Sequence, residues 1–547
     1  MKSCRGRVVA LIVALLGCVQ VNAQDWPQFR GSDGDGKSLS VAPAEWSSSS
    51  NLKWAVKLPG QGVSSPIVVG EDVFVTSFSR VGPKERSSGE SAKLLRSLVC
   101  VARKSGKIKW QRLLESTVAE DRYEGFLTDH GYASSTPVSD GQRVFAFFGK
   151  SGVYAFDLNG KPLWQRSVGS ESGPMNWGSA ASPIVYKNLV IVNACDESQA
   201  LIALDAKSGA EVWRAEASLY EGSYSTPILA ESKDGRMELI VPMAEEIWSF
   251  DPNTGELNWW VAMSLGKYVT STPVAANGVL YVAASSKVIA IRMGGSGDVT
   301  QSHVLWNRNA GPGIPSPIYY DGKLYWVATS GVFTCAEAAT GETLWRERLG
   351  KDGKNTTYAS LLKTGDRWIV TTQVNGSFVF QVEPEFKLIS ANKIEGDETP
   401  FKASAAVSRN ELFLRSDGFL YCIAEGGKAN PLQLSQVTSD KKLSDSYRLL
   451  LDPSKMFRGG RNPNSVGPAQ LLLTFDVNND NKISREELAE SPMPKFVQAM
   501  MFFNGDKNGD SFIDEAERKA MQGEVKLDAS KTLGREKAAN RPVRPAS

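Results

Sequence analysis

Histidine is almost absent from this chain, with only His130 and His303 among 547 residues. That scarcity argues against a histidine-rich transition-metal centre. An excess of charge is missing as well. Lys and Arg number 62 against 60 Asp and Glu, a net charge of +2, so neither nucleic acid nor a strongly acidic surface is indicated as a partner. Past the N-terminal residues no apolar run approaches the ~20 residues of a membrane-spanning helix. Cysteine is sparse and unpaired. Of six, two fall in the first 18 residues, and Cys100, Cys195, Cys335 and Cys422 are scattered through apolar, strand-like stretches without a CxxC or an adjacent pair. They read as buried thiols acting as small hydrophobes, although export would make disulfides accessible.

The N-terminus carries Lys2, Arg5 and Arg7 before the apolar run VVALIVALLG, and Val21-Asn22-Ala23 offers a small-residue cleavage site. This is the pattern of a secretory signal over residues 1–23, which predicts a periplasmic or extracellular protein. A rival reading stands beside it. Leu15-Leu16-Gly17-Cys18 resembles a lipoprotein box, in which Cys18 would be acylated and the protein held at the outer membrane. The Leu at the second place of that box favours cleavage after Ala23.

One phrase recurs along the chain. LIALDAKSGAEVW, ending at Trp213, is echoed at Trp110, Trp164, Trp259 and Trp345, each time with a Gly four residues before the Trp. A stretch of small or hydroxyl residues followed by Pro opens each unit, at Pro66, Pro137, Pro183, Pro227, Pro273 and Pro317, with Leu361 and Ala405 holding the place in two degenerate copies. The steps between these landmarks are 71, 46, 44, 46, 44, 44 and 44 residues. The first is long because of one polar insertion, Ser79–Ser97. A fixed period in the forties marks a repeat architecture. Within each unit alternating apolar residues and turn signals give four short strands, a propeller blade. Gly suits the turn because such turns often need positive φ, and the Trp is expected to dock one blade on the next. Eight landmarks predict a mainly β, eight-bladed propeller. The last unit lacks its Trp strand, while NLKWAVKL with Trp54 precedes the first, so Trp54's strand is expected to close blade eight. Closure of this kind removes free sheet edges.

Repeats ending D-x-x-[ST]-G-x-x-x-W in an eight-blade ring resemble the PQQ-type propellers, which include quinoprotein alcohol dehydrogenases and the propeller lipoprotein of the outer-membrane barrel-assembly machine. The resemblance covers residues 51–425. The opening DWPQFRGSDGDG of the arm, residues 24–50, also looks like the start of PQQ-like propellers of unassigned role, and its acidic SDGDG reads as a turn. In the dehydrogenases the resemblance would imply PQQ on the axis under an adjacent-Cys disulfide, with a Ca²⁺ held by Glu, Asn and Asp. This chain has no adjacent Cys pair and no CxxCH, and no motif carries those ligands over, so PQQ is not expected here.

Residues leading into each innermost strand should ring one mouth of the axial channel. Asp129, His130, Tyr132, Asn176, Trp177, Tyr224, Tyr268, Tyr358 and Phe401 are the candidates. Aromatic funnels with a few polar groups suit ligands; the alternative is that these rings pack between blades. Neighbours on a strand face opposite ways, which weakens an Asp129–His130 dyad. His303 reads as a solvated loop residue, and no nucleophile-elbow signature supports a hydrolase.

After Glu425 the repeat stops. Residues 426–468 read as linker, 469–522 as an α-helical EF-hand pair, and 523–547 as a disordered basic tail. DVNNDNKISREE (Asp476–Glu487) and DKNGDSFIDEAE (Asp506–Glu517) match the twelve-residue calcium loop. Asp476, Asn478, Asp480, Lys482 through its carbonyl, Ser484 through a water, and Glu487 would hold one Ca²⁺. Asp506, Asn508, Asp510, Phe512 through its carbonyl, Asp514 and Glu517 would hold a second. The sixth position, ordinarily Gly, is Asn481 and Ser511. Ile483 and Ile513 stand at the eighth, where paired loops form a short β-bridge. Taken together, the sequence predicts an exported, non-enzymatic scaffold for protein partners with a calcium-loaded accessory module. The alternatives are a divergent quinoprotein oxidoreductase and an outer-membrane assembly lipoprotein.

Overall fold

The computed structural model describes residues 25–79, 94–116, 118–217, 222–350 and 355–428, together with Ile483–Ser484 and Phe512–Ile513. The chain divides into two units, the second spanning Lys441–Ala539. In the first, eight antiparallel sheets follow one another as blades of a propeller. Each innermost strand starts directly after its landmark residue: Ile67–Val69, Val138–Ser139, Ile184–Tyr186, Ile228–Glu231, Val274–Ala276, Ile318–Tyr320, Leu362–Thr364 and Ala406–Ser408. Helix is scarce. Among the described residues it is confined to Leu127–His130, Cys195–Ser198, Thr300–His303 and a 3₁₀ turn at Gly149–Ser151, and no helix is long and apolar enough to cross a membrane.

The ring closes as the sequence predicts. Strand Leu52–Lys57 pairs antiparallel with Phe419–Ile423, placing Trp54 opposite Cys422 as the outer strand of blade eight. The seam is then tied across to blade one: Trp54 Nε1 donates to Arg103 O at 2.7 Å, Arg103 pairs with Glu411 at 2.7 Å, and Arg415 Nη1 donates to Ser64 O at 2.9 Å.

The recurring phrase holds neighbouring blades together. The indole N–H groups of Trp110, Trp164, Trp213 and Trp306 donate to Leu158 O, Ala206 O, Pro252 O and Ala338 O, each in the following blade. The phrase's glycine does more than turn the chain. Gly106, Gly160, Gly209, Gly255 and Gly341 all have positive φ, and each lies flat on the indole of the preceding blade, so that a Cβ would sit 2.5–2.7 Å from a ring atom. Gly and Trp of one copy therefore serve different seams. Blades five, seven and eight lack such a glycine, and blade five uses another device. There Gly297–Asp298 adds a parallel strand outside Trp259–Trp260, and the Trp259 indole turns back to Glu238 at 2.9 Å. The four scattered cysteines are buried thiols, none of them in a disulfide. Cys100, Cys335 and Cys422 each lie in register opposite a blade's Trp.

The arm gives a feature the sequence does not announce. It lies across one end of the ring. Trp26 bridges to Val68 of blade one, Pro27 O accepts from Ser139 N of blade two, and Lys37–Ser38 adds a parallel strand inside Leu362–Thr364 of blade seven. Ala42 N then reaches Thr364 Oγ1 and Trp46 N reaches Asn392 Oδ1. Between these anchors Arg30, 2% exposed, donates to Thr272 O at 3.4 Å, to Pro317 O and to Asp35 O at 2.9 Å. Burial lowers its pKa to about 10, against the pull of Asp35. The SDGDG stretch is a turn, as expected, with Gly34 and Gly36 at positive φ.

Candidate functional site

The hydroxyl residue before each landmark proves to be the wall of the axial channel. Backbone N–H of Ser65 donates to Thr136 Oγ1, Thr136 N to Ser182 Oγ, and Ser182 N to Thr226 Oγ1, at 2.9–3.0 Å. Thr272 N, Ser316 N and Ser360 N continue the series to Ser316, Ser360 and Ser404, at 2.8–3.1 Å. Apart from blade seven, where the arm adds Lys37–Ser38, an innermost strand has no sheet neighbour on its axial side, so these N–H groups would otherwise go unpaired. A short hydroxyl from the next blade answers these six and leaves the axis open.

Above this ring stands the mouth. A pocket of about 140 Å³ lies on the axis, lined by Phe126, His130, Trp177, Tyr224, Tyr358 and Lys402 and, from the arm, by Phe29. Trp177 is the centre of the aromatic group. Its ring centroid lies 4.7 Å from Phe126, 4.6 Å from Tyr268 and 5.5 Å from Tyr224, within the range of favourable edge and tilted contacts. Phe126 also meets His130 at 5.5 Å and Tyr358 at 6.1 Å.

The sequence-derived candidates thus divide. His130, Trp177, Tyr224 and Tyr358 line the pocket, and Tyr268 supports Trp177. Tyr132 does not reach it. Its ring packs on Phe78 at 5.7 Å and on Tyr123 at 5.6 Å with Arg96 over its face, so the packing alternative holds there. Phe401 likewise stacks on Tyr421 at 5.9 Å. Asn176 is exposed at a positive φ of 52° and turns the chain into Trp177. Asp129 and His130 lie on the short helix Leu127–His130 rather than on a strand, and they form no dyad. His130 Nδ1 meets Ser134 Oγ at 2.5 Å, while Asp129 accepts from Tyr358 OH at 3.4 Å. Burial, reinforced by Lys402, lowers the His130 pKa to about 4, so the imidazole is uncharged at neutral pH. Lys402 is itself taken by Asp129 O and by Asp417 at 3.7 Å. His303 ends the helix Thr300–His303, its Nδ1 2.8 Å from Ser302 Oγ; it is partly buried, not a solvated loop residue. Phe126, Lys402 and Phe29 were missed; only their nearness to an aromatic pair or a landmark could have marked them.

Two mouth segments are held down by a buried polar hub. Lys150 Nζ donates to Asp121 Oδ1 at 2.8 Å and to Ser172 Oγ at 2.7 Å, and Arg96 Nη1 donates to Glu120 Oε1 at 2.8 Å. Beneath lie Asp196 and Glu197, both buried. Glu197 pairs with Ser179 Oγ, and its carbonyl accepts from Glu171 N at 3.0 Å. Burial raises the pKa of Asp196 to about 7 and, together with the Asp196 charge, that of Glu197 to about 8. Even so, no group of three or more His, Cys, Asp or Glu among the described residues is arranged to hold a metal ion.

Of the twelve calcium-loop candidates, ten lie outside the described residues. Ser484 and Phe512 are described as backbone only, and they show one relevant thing. Ile483 pairs with Ile513, and Ser484 with Phe512, in an antiparallel two-stranded sheet. Ile483 and Ile513, the eighth positions of the two expected loops, are thus paired.

Residues 44–173, 91–233 and 197–300 match the family model described as outer membrane protein assembly factor BamB. Among curated proteins the chain is similar to tetrathionate hydrolase of Acidianus ambivalens, 30% identical over 123 residues, 19% of this chain and 23% of that protein. It is also similar to outer membrane protein assembly factor BamB of Moranella endobia (strain PCIT), 23% identical over 209 residues, 36% of this chain and 52% of that one. The matched stretches therefore span about a quarter and about half of these relatives. Among solved structures, BamB from Moraxella catarrhalis aligns over 69% of this chain and 98% of its own, with 16% identity and a TM-score of 0.48. Quinohemoprotein alcohol dehydrogenase from Comamonas testosteroni aligns over 76% and 82%, with 12% identity and a TM-score of 0.38.

Proposed function

We propose that this chain is an exported interaction scaffold whose aromatic mouth is the docking face, carrying a calcium-loaded EF-hand pair as a separate module. The observation that carries the reading is the partly exposed cluster of Phe126, Trp177, Tyr268 and Tyr358, set on a ring whose blades are tied at every described seam. Rigid aromatic anchors around a concavity concentrate binding energy, because few rotamers are lost when a partner covers them. The match to the BamB family model favours the cell envelope as the setting and an assembly-factor-like role. The Ile483–Ile513 pairing supports the calcium module, in which Asp476, Asp480 and Glu487 in one loop and Asp506, Asp510, Asp514 and Glu517 in the other supply the charge.

A photo-crosslinking residue placed at Tyr268, on the mouth, and at Leu163, on the outer rim and 41% exposed, tests the docking face in intact envelopes. Crosslinks to a discrete partner are expected from Tyr268 and not from Leu163. Crosslinks from the rim alone would overturn the reading. Titration with PQQ in saturating Ca²⁺ is expected to leave Trp fluorescence unchanged; saturable one-to-one binding would restore the oxidoreductase alternative.

A further inference from the structure

The arm contributes Phe29 to the lining of the axial pocket, and the neighbouring Arg30 is spent on backbone carbonyls. The pocket's aromatic walls come from Phe126, Trp177 and Tyr358, and Val63 and Ile314 add aliphatic surface. Its volume of about 140 Å³ is close to the ~150 Å³ of an apolar cavity that takes up one benzene. Such a space suits one six-membered ring and is too small for a fused polycycle. The only cation in the lining, Lys402, is engaged by Asp129 O and Asp417, so an acidic ligand would meet no free positive charge. Two lining hydroxyls have no hydrogen-bond partner among the described residues, Tyr224 OH and Thr272 Oγ1, and the first of them lies against the Asp196 carboxylate. Thr272 is 2% exposed. A buried hydroxyl in that state is costly, and an occupant that fills the apolar space and brings one hydroxyl resolves both features at once.

We propose that the pocket receives a single phenol ring, presented as the Tyr side chain of a partner polypeptide, with its hydroxyl on Thr272 Oγ1. The polypeptide part of this statement rests on the scaffold reading above; the ring and its hydroxyl do not. A Phe side chain would leave Thr272 unanswered, and an indole adds a second ring to a space that holds one.

The test uses p-cresol, the Tyr side chain as a free molecule, and toluene, its Phe counterpart, titrated into the full chain by ligand-observed NMR. Saturable one-to-one binding of p-cresol is expected, with a Kd on the order of 1 mM for so few atoms. Toluene should bind about fivefold more weakly, the worth of one hydrogen bond. Thr272→Val keeps the shape of the side chain and should bring p-cresol down to the level of toluene while leaving toluene unchanged. Ala180→Phe, from the lining, should abolish both; near-UV circular dichroism establishes that this variant is folded, and the comparison of wild type with Thr272→Val stands without it. Equal binding of the two probes would overturn the assignment of a hydroxyl-bearing ring. Binding of neither would overturn the pocket as a site, and would leave the crosslinking test of the mouth to be decided separately.

Discussion

Gly209 of blade three lies face-on against Trp164 of blade two: with φ at +69°, a Cβ built on the glycine would come within 2.6 Å of Trp164 Cδ2. The contact lets the indole lie on the neighbouring turn while its N–H reaches Ala206 O at 3.1 Å. Both halves of the contact repeat at four further seams.

Gly209→Ala is therefore expected to cost more than a turn glycine elsewhere. Gly235 has a similar φ of +82°, but a Cβ there would meet only Glu231 Oε1 at 3.6 Å. Gly235→Ala should lose about 1–2 kcal/mol from the left-handed backbone alone. Gly209→Ala should lose roughly 1–3 kcal/mol more from overpacking. Chemical denaturation of the pair measures the difference, and equal losses would reduce the seam glycine to a turn residue.

Trp54 should be among the most sensitive side chains, because it belongs to the strand that joins the two ends of the ring. Trp54→Ala is expected to cost about 3–5 kcal/mol. Trp54→Phe, which keeps a ring but loses the donor to Arg103 O, should cost nearer 1 kcal/mol. Thermal melts of the two variants check the order.

Asp196 and Glu197 predict a pH dependence of stability with a definite sign. In the folded chain burial raises them to about 7 and about 8, whereas the unfolded chain releases these protons in the ordinary carboxylate range. Between those limits the native state holds more protons, so stability falls as pH rises from about 4 to about 8 and levels off above. Asp196→Asn with Glu197→Gln removes both titrations. Denaturant midpoints measured from pH 5 to 9 should slope downward in the wild type and be markedly flatter in the double variant.

Calcium is expected to bind two sites, with the Asp506–Glu517 loop the tighter because it presents four carboxylates against three. Glu517→Gln should then remove the higher-affinity phase in calorimetry of the full chain, and Glu487→Gln the lower. The reverse order would show that Ser511 at the sixth position, strained where Gly is usual, outweighs the added charge.

Much of the ring was legible because its signals are local and repeated. The landmark residues mark every inner strand, and the absence of a Trp strand after Glu425 pointed back to Trp54. What could not be read is whatever depends on residues distant in sequence. Arg30 meets Pro317 O only because the arm crosses the axis, and no periodicity records that. The hydroxyl before each landmark was visible in the sequence, but the role of six of them as acceptors for the preceding blade's N–H requires neighbouring blades to be in place. At the mouth, Tyr132 and Trp177 look alike as aromatic residues ahead of a landmark. Only the fold separates them, giving the first to Phe78 and the second to the axis.

The pairing of Leu52–Lys57 with Phe419–Ile423 has a temporal consequence. On a ribosome the outer strand of blade eight is made before every blade, and its partner is made after the other seven. The first-made piece must therefore stay unpaired until Ile423 emerges, and the ring is completed by a contact of the largest sequence separation the propeller contains. Once formed, the same closure works in reverse. Asn51 and Gly426 sit side by side, joined by a 2.9 Å hydrogen bond, so neither end of the propeller offers a loose blade from which unravelling or a processive unfoldase could start.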